Sequence, residues 1–550
     1  MLDAAAGRIP ADAVFRNAVI FNPFTCTWEE ESLAVKDGLV LGTGEYTGKK
    51  VYDLAGMHVV PGLIDAHVHI ESSLLLPREY ARLVASHGTS TVIADPHEIA
   101  NVLGAPGLEF MLAEREGAAA DILYMLPSCV PATPLDVGGA VLEAGDLAPF
   151  AGREGVIGLG EVMNVPGVLS GDPAIGEKLA LFPLRDGHAP LLSGRELNAY
   201  LLAGLQSDHE CTTLAEAEEK LRAGMYIFIR EGSTERNIRD LIPLVTPATV
   251  SRCCFATDDC HADLLAGEGH IDRCIRKAVS CGLAPELAIR MATLSAAERF
   301  GLADRGALVP GRRADFCTVD NPYRFNVHQV FRSGIPSVEG AFRVPPGPPT
   351  RFQCRLPSPH ELAIGERGTA RVIGLIPRQI LTESLTRTVS GSDLPDLTGD
   401  ILKVVVCNRY GRRGMGLGLV HGFGFECGAI AGSISHDAHN VVAVGTSDGE
   451  ILSAIGEVIR SGGAMAAVIG QERAVLPLAC AGLMSTLPYP IVAGRLEEMA
   501  GVTGRMGGIK DPFMYLSFLA LTVIPALRIT DRGIFDTGLF RDVPLFIRGA

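Results

Sequence analysis

Apolar runs of four to ten residues recur along the first three hundred residues of the chain, and longer segments with helical spacing separate them. Between residue 59 and about residue 300 there are eight such runs, each with the composition of a buried parallel strand. They span 58–67, 91–94, 122–126, 156–160, 184–187, 204–207, 225–229 and 253–257. Eight strands close a TIM-type barrel, so the pattern predicts a (β/α)8 barrel.

The intervening segments fit helices packed outside that barrel. In 213–223 and 271–281, for example, apolar residues recur every three to four positions. Short β segments flank the barrel on both sides, at 18–21, 32–35 and 39–42 before it and at 306–319 and 329–332 after it. We expect these flanking segments to share one sheet.

A proline-rich stretch, VPPGPPT at 344–350, predicts a linker. From about residue 360 the composition becomes glycine-rich, with predicted strands at 404–407, 430–433 and 441–444. The predicted fold class is therefore α/β, with three domains. They are a small β-sandwich-like domain from 1–60 and 301–350, a metal-binding TIM-like (β/α)8 barrel at 61–300, and a C-terminal α/β domain at 360–550.

Composition limits the partners of this chain. Of its 550 residues 47% are apolar and 20% charged, which predicts a globular protein with ample core. Asp and Glu outnumber Lys and Arg by 63 to 48, so the net charge is −15, which disfavours nucleic acid and anionic membranes as partners. The first 20 residues lack the pattern of an export signal, and the 13 cysteines contain no Cys-x-x-Cys pair. We expect a cytoplasmic protein with reduced thiols.

Polar residues at the ends of the predicted strands indicate where the chemistry lies, because active residues of such barrels follow the strands. The first strand ends in Asp65-Ala66-His67-Val68-His69, and the alternation of a strand puts both histidines on one side. The other strand ends supply Glu161, His188, His209 and Asp258. Six nitrogen and oxygen donors exceed the needs of one tetrahedral ion, so we predict two divalent ions bridged by Glu161.

A metal pair lowers the pKa of a bound water and supplies hydroxide, so hydrolysis is the expected reaction. Asp258 is predicted to hold one ion, to accept the proton of that water and to return it to the leaving group. One residue of the Asp258-Asp259 pair is also suited to capping a helix.

Longer stretches around these residues resemble the adenine deaminase branch of the amidohydrolase superfamily. The barrel stretches are PGLIDAHVHIESS (61–73), ADPHEIANVLG (94–104), LPSCVPAT (126–133), GLGEVMNVPGV (158–168), DGHAPLLSGRELNAYLLAGLQSDHECTT (186–213), IREGSTERN (229–237) and ATDDCHADLLAGEGHID (256–272). HGFGFECGAIAGSISHDAHNVVAVGT (421–446) and KDPFMYLSFLALTVIPALRITDRG (510–533) resemble the C-terminal domain of that family. The resemblance therefore spans nearly the whole chain.

The resemblance implies hydrolysis of adenine to hypoxanthine and ammonia in purine salvage, with a pair of manganese or iron ions; the ligand types also admit zinc. It implies that His67, His69, Glu161, His188, His209 and Asp258 bind the metals and that Asp258, Glu161 and His209 carry catalysis. Many amidohydrolases bridge the ions with a carboxylated lysine, and glutamate at this position weakens assignment as a dihydroorotase or hydantoinase. Adenine and water are the expected partners, and we expect a homodimer.

Three questions stay open at the level of sequence. The group that protonates the purine ring is Asp95, Glu98 or Glu231, each of which could instead be structural. The segment 435–440, with His436 and His439, suits an accessory metal, closure over the barrel mouth or a polar domain contact. The alternative functions are hydrolysis of another 6-substituted purine or cyclic amide, and a catalytically silent metal-binding relative.

Overall fold

The computed structural model describes residues 1–337, 347–348, 351–377, 379–390 and 394–547. The first elements of the chain are a short helix and five strands. These elements are α1 (Leu2–Ala5), β1 (Ala11–Asn22), β2 (Thr27–Lys36), β3 (Leu39–Thr43), β4 (Gly48–Asp53) and β5 (His58–Pro61).

Eight parallel strands follow and form the barrel. They are β6 (Leu63–Val68), β7 (Thr89–Ala94), β8 (Asp121–Leu126), β9 (Val156–Val162), β10 (Arg185–Gly187), β11 (Ser207–Asp208), β12 (Tyr226–Arg230) and β13 (Cys253–Ala256). Neighbouring strands pair from β6 to β10 and from β11 to β13. The Gly187 amide donates to Ser207 Oγ between β10 and β11, and a parallel bridge from Val68 to Asp258 closes the ring. The predicted (β/α)8 barrel is confirmed.

Helices connect and surround these strands. The α-helices are α2 (Pro77–Ser86), α3 (His97–Leu103), α4 (Ala105–Glu114), α5 (Ala144–Leu147), α6 (Val165–Ser170), α7 (Pro173–Leu181), α8 (Gly194–Leu202), α9 (Leu214–Arg222), α10 (Ile238–Leu241), α11 (Ala262–Glu268), α12 (Ile271–Ser280), α13 (Pro285–Arg290) and α14 (Ala296–Arg299). Shorter 3-10 turns occupy Ile70–Ser73, Ala148–Phe150, Ile242–Leu244 and Val250–Arg252, and Met291–Ser295 forms a π-turn. The predicted helices at 213–223 and 271–281 correspond to α9 and α12.

The chain then returns to the first sheet through β14 (Phe316–Val319), β15 (Val327–Arg332) and β16 (Ile335–Pro336). Since β14 pairs with β5, the segments before and after the barrel share one sheet, ordered β16-β15-β14-β5-β1-β2-β3, with β4 beside β1. The run 58–67, predicted as one barrel strand, is divided at Gly62: β5 belongs to this sheet and β6 to the barrel. Most of the predicted linker at 344–350 lies outside the described residues.

The described residues of the C-terminal part contain a 3-10 turn (Pro359–Leu362), eleven strands and three helices. They are β17 (Arg367–Leu375), β18 (Thr382–Ser390), β19 (Ile401–Cys407), β20 (Met415–His421), β21 (Ala429–Gly432), β22 (Val441–Gly445), α15 (Asp448–Arg460), β23 (Ala464–Ile469), β24 (Glu472–Pro477), α16 (Tyr489–Met506), α17 (Pro512–Phe518), β25 (Leu527–Thr530), β26 (Gly533–Asp536) and β27 (Arg541–Asp542). Eight strands form one sheet, ordered β18-β17-β20-β19-β22-β21-β23-β24, and β25–β27 form another. Among the described residues, none of the helices combines the length and apolar character needed to span a bilayer.

Candidate active site

The barrel brings the six predicted metal ligands together at the carboxyl ends of its strands. His67 lies in β6 and Glu161 in β9, and the other four follow a strand within two residues: His69, His188, His209 and Asp258. All six residues are at most 6% exposed. Because parallel strands present their carboxyl ends to the same face, residues nearly two hundred positions apart converge there.

The carboxylate of Glu161 lies between two pairs of histidines. Its Oε1 atom is 3.2 Å from His69 Nε2 and 4.0 Å from His67 Nε2. Its Oε2 atom is 2.6 Å from His188 Nδ1 and 3.1 Å from His209 Nε2. Each oxygen therefore faces a different pair of imidazoles, which is the arrangement that a carboxylate bridging two ions requires.

The chemistry of these donors fits bound cations. His69 donates from Nδ1 to the Asp95 carbonyl at 3.0 Å, so in the neutral ring Nε2 carries a lone pair. That lone pair faces oxygens of Glu161 and Asp258, each at 3.2 Å, and His67 Nε2 at 3.1 Å. Acceptors directed at one another repel unless a positive charge lies among them, so the site is suited to divalent metal binding.

Protons compete with metal for the same nitrogens in the metal-free protein. Burial lowers the pKa of His209, but the adjacent Glu161 outweighs burial and raises this pKa to about 9. Burial also lowers the pKa of His67 well below its ordinary value, so that ring is already neutral. An ion bound by His209 near neutral pH would therefore displace a proton from this ring.

We expect the affinity for the ion at His209 to rise about tenfold per pH unit between roughly pH 6 and 8. Over this range the ion must displace one proton from His209, and each pH unit lowers the proton concentration tenfold. Titration calorimetry in buffers with different ionisation enthalpies will count the protons released. His209→Gln is the matched control and should release one proton fewer. Metal binding without proton release in the unmodified protein would contradict this assignment.

Asp258 occupies a strained and tightly held position just after β13. Its backbone is left-handed, with φ of 54°, and its amide donates to the His67 carbonyl at 3.0 Å. The Oδ1 atom faces His67 and His69, at 3.6 and 3.2 Å, while Oδ2 accepts from the Arg230 guanidinium at 2.8 Å. Arg230 also pairs with Glu210. One carboxylate oxygen is thus directed at the metal site and the other is neutralised.

Segments of the C-terminal part complete the cavity beside these ligands. Ile380, His436, Asp437, Phe518 and Leu521 line it together with the barrel residues. The His436 ring stacks on Phe518 with centroids 4.7 Å apart, and His436 Nδ1 lies 3.3 Å from Glu98 Oε1. The 435–440 segment therefore closes over the barrel mouth. His439 is fully buried, and an accessory metal at 435–440 stays a prediction. In the structure His436 groups instead with His97 and Glu98, and the ligand atoms of these three residues lie within 4.8 Å of one another.

The three acids considered for ring protonation occupy different surroundings. Asp95 accepts a hydrogen bond from the Glu161 amide at 3.0 Å through Oδ2, so it helps to position Glu161. Glu98 accepts from Ser72 Oγ at 2.9 Å, and burial, with Glu71 and Asp259 nearby, raises its pKa well above the ordinary value. Glu231 is buried in the wall of a second cavity.

Sequence reasoning missed Glu235, which follows β12 in the same loop as Glu231. Glu235 lines the metal-site cavity and its Oε2 atom has no hydrogen-bond partner among the described residues. Burial raises its pKa to about 8, so it retains a proton near neutral pH. Both Glu231 and Glu235 follow a barrel strand, so the expectation that active residues follow the strands selects neither over the other. The fold of the loop decides which of the two lines the metal-site cavity.

A larger cavity of about 960 Å³ adjoins the metal site between the barrel and the C-terminal part. The two cavities share Glu210, Arg230, Glu235 and Ile380 as wall residues. The two cavities therefore adjoin at these four side chains.

Comparison with known proteins gives a consistent result. Residues 58–336 match the amidohydrolase family, and residues 379–541 match the adenine deaminase C-terminal domain. The adenine deaminase of Methanoregula boonei is 64% identical over 99% of this chain and 98% of its own length. That of Methanoculleus marisnigri is 62% identical over 93% of this chain and 99% of its own. A solved structure, N-acetyl-D-glucosamine-6-phosphate deacetylase from Mycobacterium smegmatis, covers 59% of this chain and 100% of its own at 17% identity, with a TM-score of 0.46.

The relative from Methanoregula boonei is similar over nearly the whole chain, and the two family matches cover the barrel and most of the C-terminal part. The chain therefore belongs to the amidohydrolase family, in its adenine deaminase branch.

Proposed function

We propose that this protein hydrolyses adenine to hypoxanthine and ammonia at a pair of divalent metal ions. The observation that carries the proposal is the Glu161 carboxylate, whose two oxygens face separate histidine pairs at the mouth of the barrel. The names of the full-length relatives support adenine as the substrate. Hydrolysis at carbon 6 needs a nucleophile, a route for its proton and a donor to the purine ring, and the cavity offers groups for each.

His67, His69, Glu161 and Asp258 would hold one ion, and Glu161, His188 and His209 the other. Bound there, the ions would lower the pKa of water toward neutrality and so supply hydroxide. We propose manganese or iron(II) as the native metal, since imidazole and carboxylate ligands suit both, as they do zinc.

We propose Asp258 as the proton carrier. Its Oδ1 atom lies at the metal ligands, whereas Arg230 binds Oδ2 and fixes the plane of the carboxylate. A carboxylate in this place can accept a proton from water and deliver it to the departing amine. Glu161 and His209 contribute by holding the ions.

The flat substrate would lie against the C-terminal wall. The stacked rings of His436 and Phe518 present an aromatic surface beside the metal ligands, and aromatic rings pack favourably against a planar base. Glu235, buried at the same cavity and protonated near neutral pH, is our proposed donor to a ring nitrogen, with Glu98 as the competing candidate.

If Glu235 donates this proton, kcat/KM falls as pH rises through the pKa of Glu235, because only the protonated acid is active. Nearby cations favour the carboxylate, so this fall should lie at or below about pH 8. Glu235→Gln should lower kcat about 10²-fold or more and remove the alkaline limb of the pH profile. Glu98→Gln, measured in parallel, should keep that limb; the reverse outcome would identify Glu98 as the donor.

The function itself is tested by ammonia release from protein reloaded separately with manganese, iron(II) or zinc, with metal content measured on each sample. Adenine, adenosine, guanine, cytosine and a cyclic ureide are the substrates. We expect release from adenine with about two ions bound. Activity on the ureide alone, or none on any compound at full metal occupancy, would overturn the proposal.

A place in purine salvage, a dimeric assembly and a cytoplasmic location also stay predictions. Sedimentation of the metal-loaded protein tests the dimer. Growth of cells on adenine as the purine source, with and without this chain, tests the role in salvage.

A further inference from the structure

The C-terminal part contains a buried guanidinium that lacks any counter-charge among the described residues. Arg409 follows β19 and is 1% exposed. Its Nε, Nη1 and Nη2 atoms have no hydrogen-bond partner in the described part of the chain. A guanidinium carries five N–H donors and stays charged at every accessible pH. Burial of such a charge without compensation is among the most unfavourable arrangements in a protein.

Two other arginines are buried to the same degree, and each guanidinium has several acceptors, although Arg230 Nε has none among the described residues. The Arg230 guanidinium pairs with Glu210 and Asp258. The Arg528 guanidinium donates to four carbonyl oxygens, those of Ile524, Phe518, Ile380 and Pro525. Both of these guanidinium groups therefore have acceptors, whereas all three nitrogens of the Arg409 guanidinium lack one among the described residues.

The surroundings of Arg409 offer aromatic faces and further donors. The rings of Phe352 and Tyr410 each lie 5.4 Å from its guanidinium carbon. A ring face attracts the cation but leaves the N–H groups at the guanidinium edge unmatched. Gly482 has a left-handed backbone, with φ of +69°, and a Cβ atom at this position would collide with Arg409 Nη1. The position therefore needs glycine.

The 435–440 segment lies against Arg409 and adds unpartnered donors. The Arg409 amide donates to Asn440 Oδ1 at 3.2 Å, and the Tyr410 hydroxyl donates to the Ala438 carbonyl at 2.6 Å. His439 accepts the Ser435 amide at Nδ1, which leaves the proton of the neutral ring on Nε2. His439 Nε2 and Ser435 Oγ are both buried without a partner in the described residues.

Donors without acceptors, around a fixed positive charge, are the chemistry of an anion site. We propose that Arg409 binds a small inorganic monovalent anion, of the halide class, beneath the 435–440 segment. The anion supplies the missing counter-charge and accepts from the guanidinium edge. Because the same segment carries His436 and Asp437 to the metal-site cavity, the anion stabilises the wall of that cavity.

Bromide tests the site directly, because its anomalous scattering identifies it in a crystal. Crystals of the metal-loaded, full-length protein, grown without chloride and transferred to bromide, should show an anomalous peak in contact with the Arg409 guanidinium. Water alone at that place, or a protein acceptor paired with Arg409, would overturn the proposal. This measurement needs no variant and does not depend on the proposed enzymatic activity.

Thermal unfolding in solution gives an independent test. At constant ionic strength, replacing gluconate by bromide should raise the Tm of the protein, since a ligand that binds only the folded state stabilises it. Arg409→Met removes the buried charge and should abolish the dependence on bromide; without halide its Tm should equal or exceed that of the unmodified protein. Arg528→Met, the matched control, should unfold at lower temperature yet keep the bromide dependence. Equal bromide responses in the Arg409 variant and the unmodified protein would contradict the site.

Discussion

Replacement of Asp258 by asparagine should reduce kcat for adenine by at least about 10³-fold. The variant keeps an oxygen that can face the metal ligands but loses the base that accepts the proton of water. Delivery of that proton to the leaving amine is lost at the same step. Ammonia release under saturating adenine, with metal content measured on the same sample, is the readout.

The fold should survive this change for two local reasons. Asp258 has a left-handed backbone with φ of 54°, and asparagine tolerates this conformation at least as well as aspartate. Arg230, which loses one charged acceptor, keeps its pair with Glu210. A loss of activity in the variant would therefore report on chemistry rather than on unfolding.

Asp37→Asn is the matched control, because Asp37 is also left-handed, with φ of 51°, but is exposed and far from the barrel mouth. That variant should retain full activity. If Asp258→Asn releases ammonia at a near-normal rate with both ions bound, Asp258 is not the proton carrier.

The barrel could be predicted from the sequence because its strands are short, apolar and separated by helices, so each is visible by itself. Placement of the six donors followed from one rule, since parallel strands present their carboxyl ends to the same face. The division of 58–67 could not be predicted in this way. Its two halves are equally apolar, and the pairing of β5 with β1 and with β14, which lies more than 250 residues later, assigns the first half to another sheet.

Phe518, Ile380 and Glu235 could not be assigned to the cavity from the sequence, for related reasons. Phe518 and Ile380 reach the cavity through contacts between distant segments, which no local pattern encodes. In the loop after β12, a bridge between Glu231 and Arg236 reverses the chain. This turn directs Glu235 to the metal-site cavity, while Glu231 lines the larger one.

Replacement of Glu161 by glutamine should lower the metal content from two ions to about one and reduce kcat by more than about 10²-fold. The amide oxygen can replace one carboxylate oxygen, but the amide nitrogen cannot bind a cation. His67, His69 and Asp258 still form a site with an anionic ligand, whereas His188 and His209 keep only neutral nitrogens. We therefore expect the second site to empty first, as measured by metal analysis after dialysis.

Glu154→Gln is a suitable control for this variant, since Glu154 precedes the same strand and its side chain is 90% exposed. It should bind two ions and retain activity. The bridging role also predicts that excess metal restores activity of Glu161→Gln only in part. A high metal concentration can refill a site whose affinity is weakened, but it cannot replace the carboxylate that both ions share. Two tightly held ions in Glu161→Gln would mean that another group bridges the ions. That group would have to occupy the place of Glu161 Oε2, which lies 2.6 Å from His188 Nδ1.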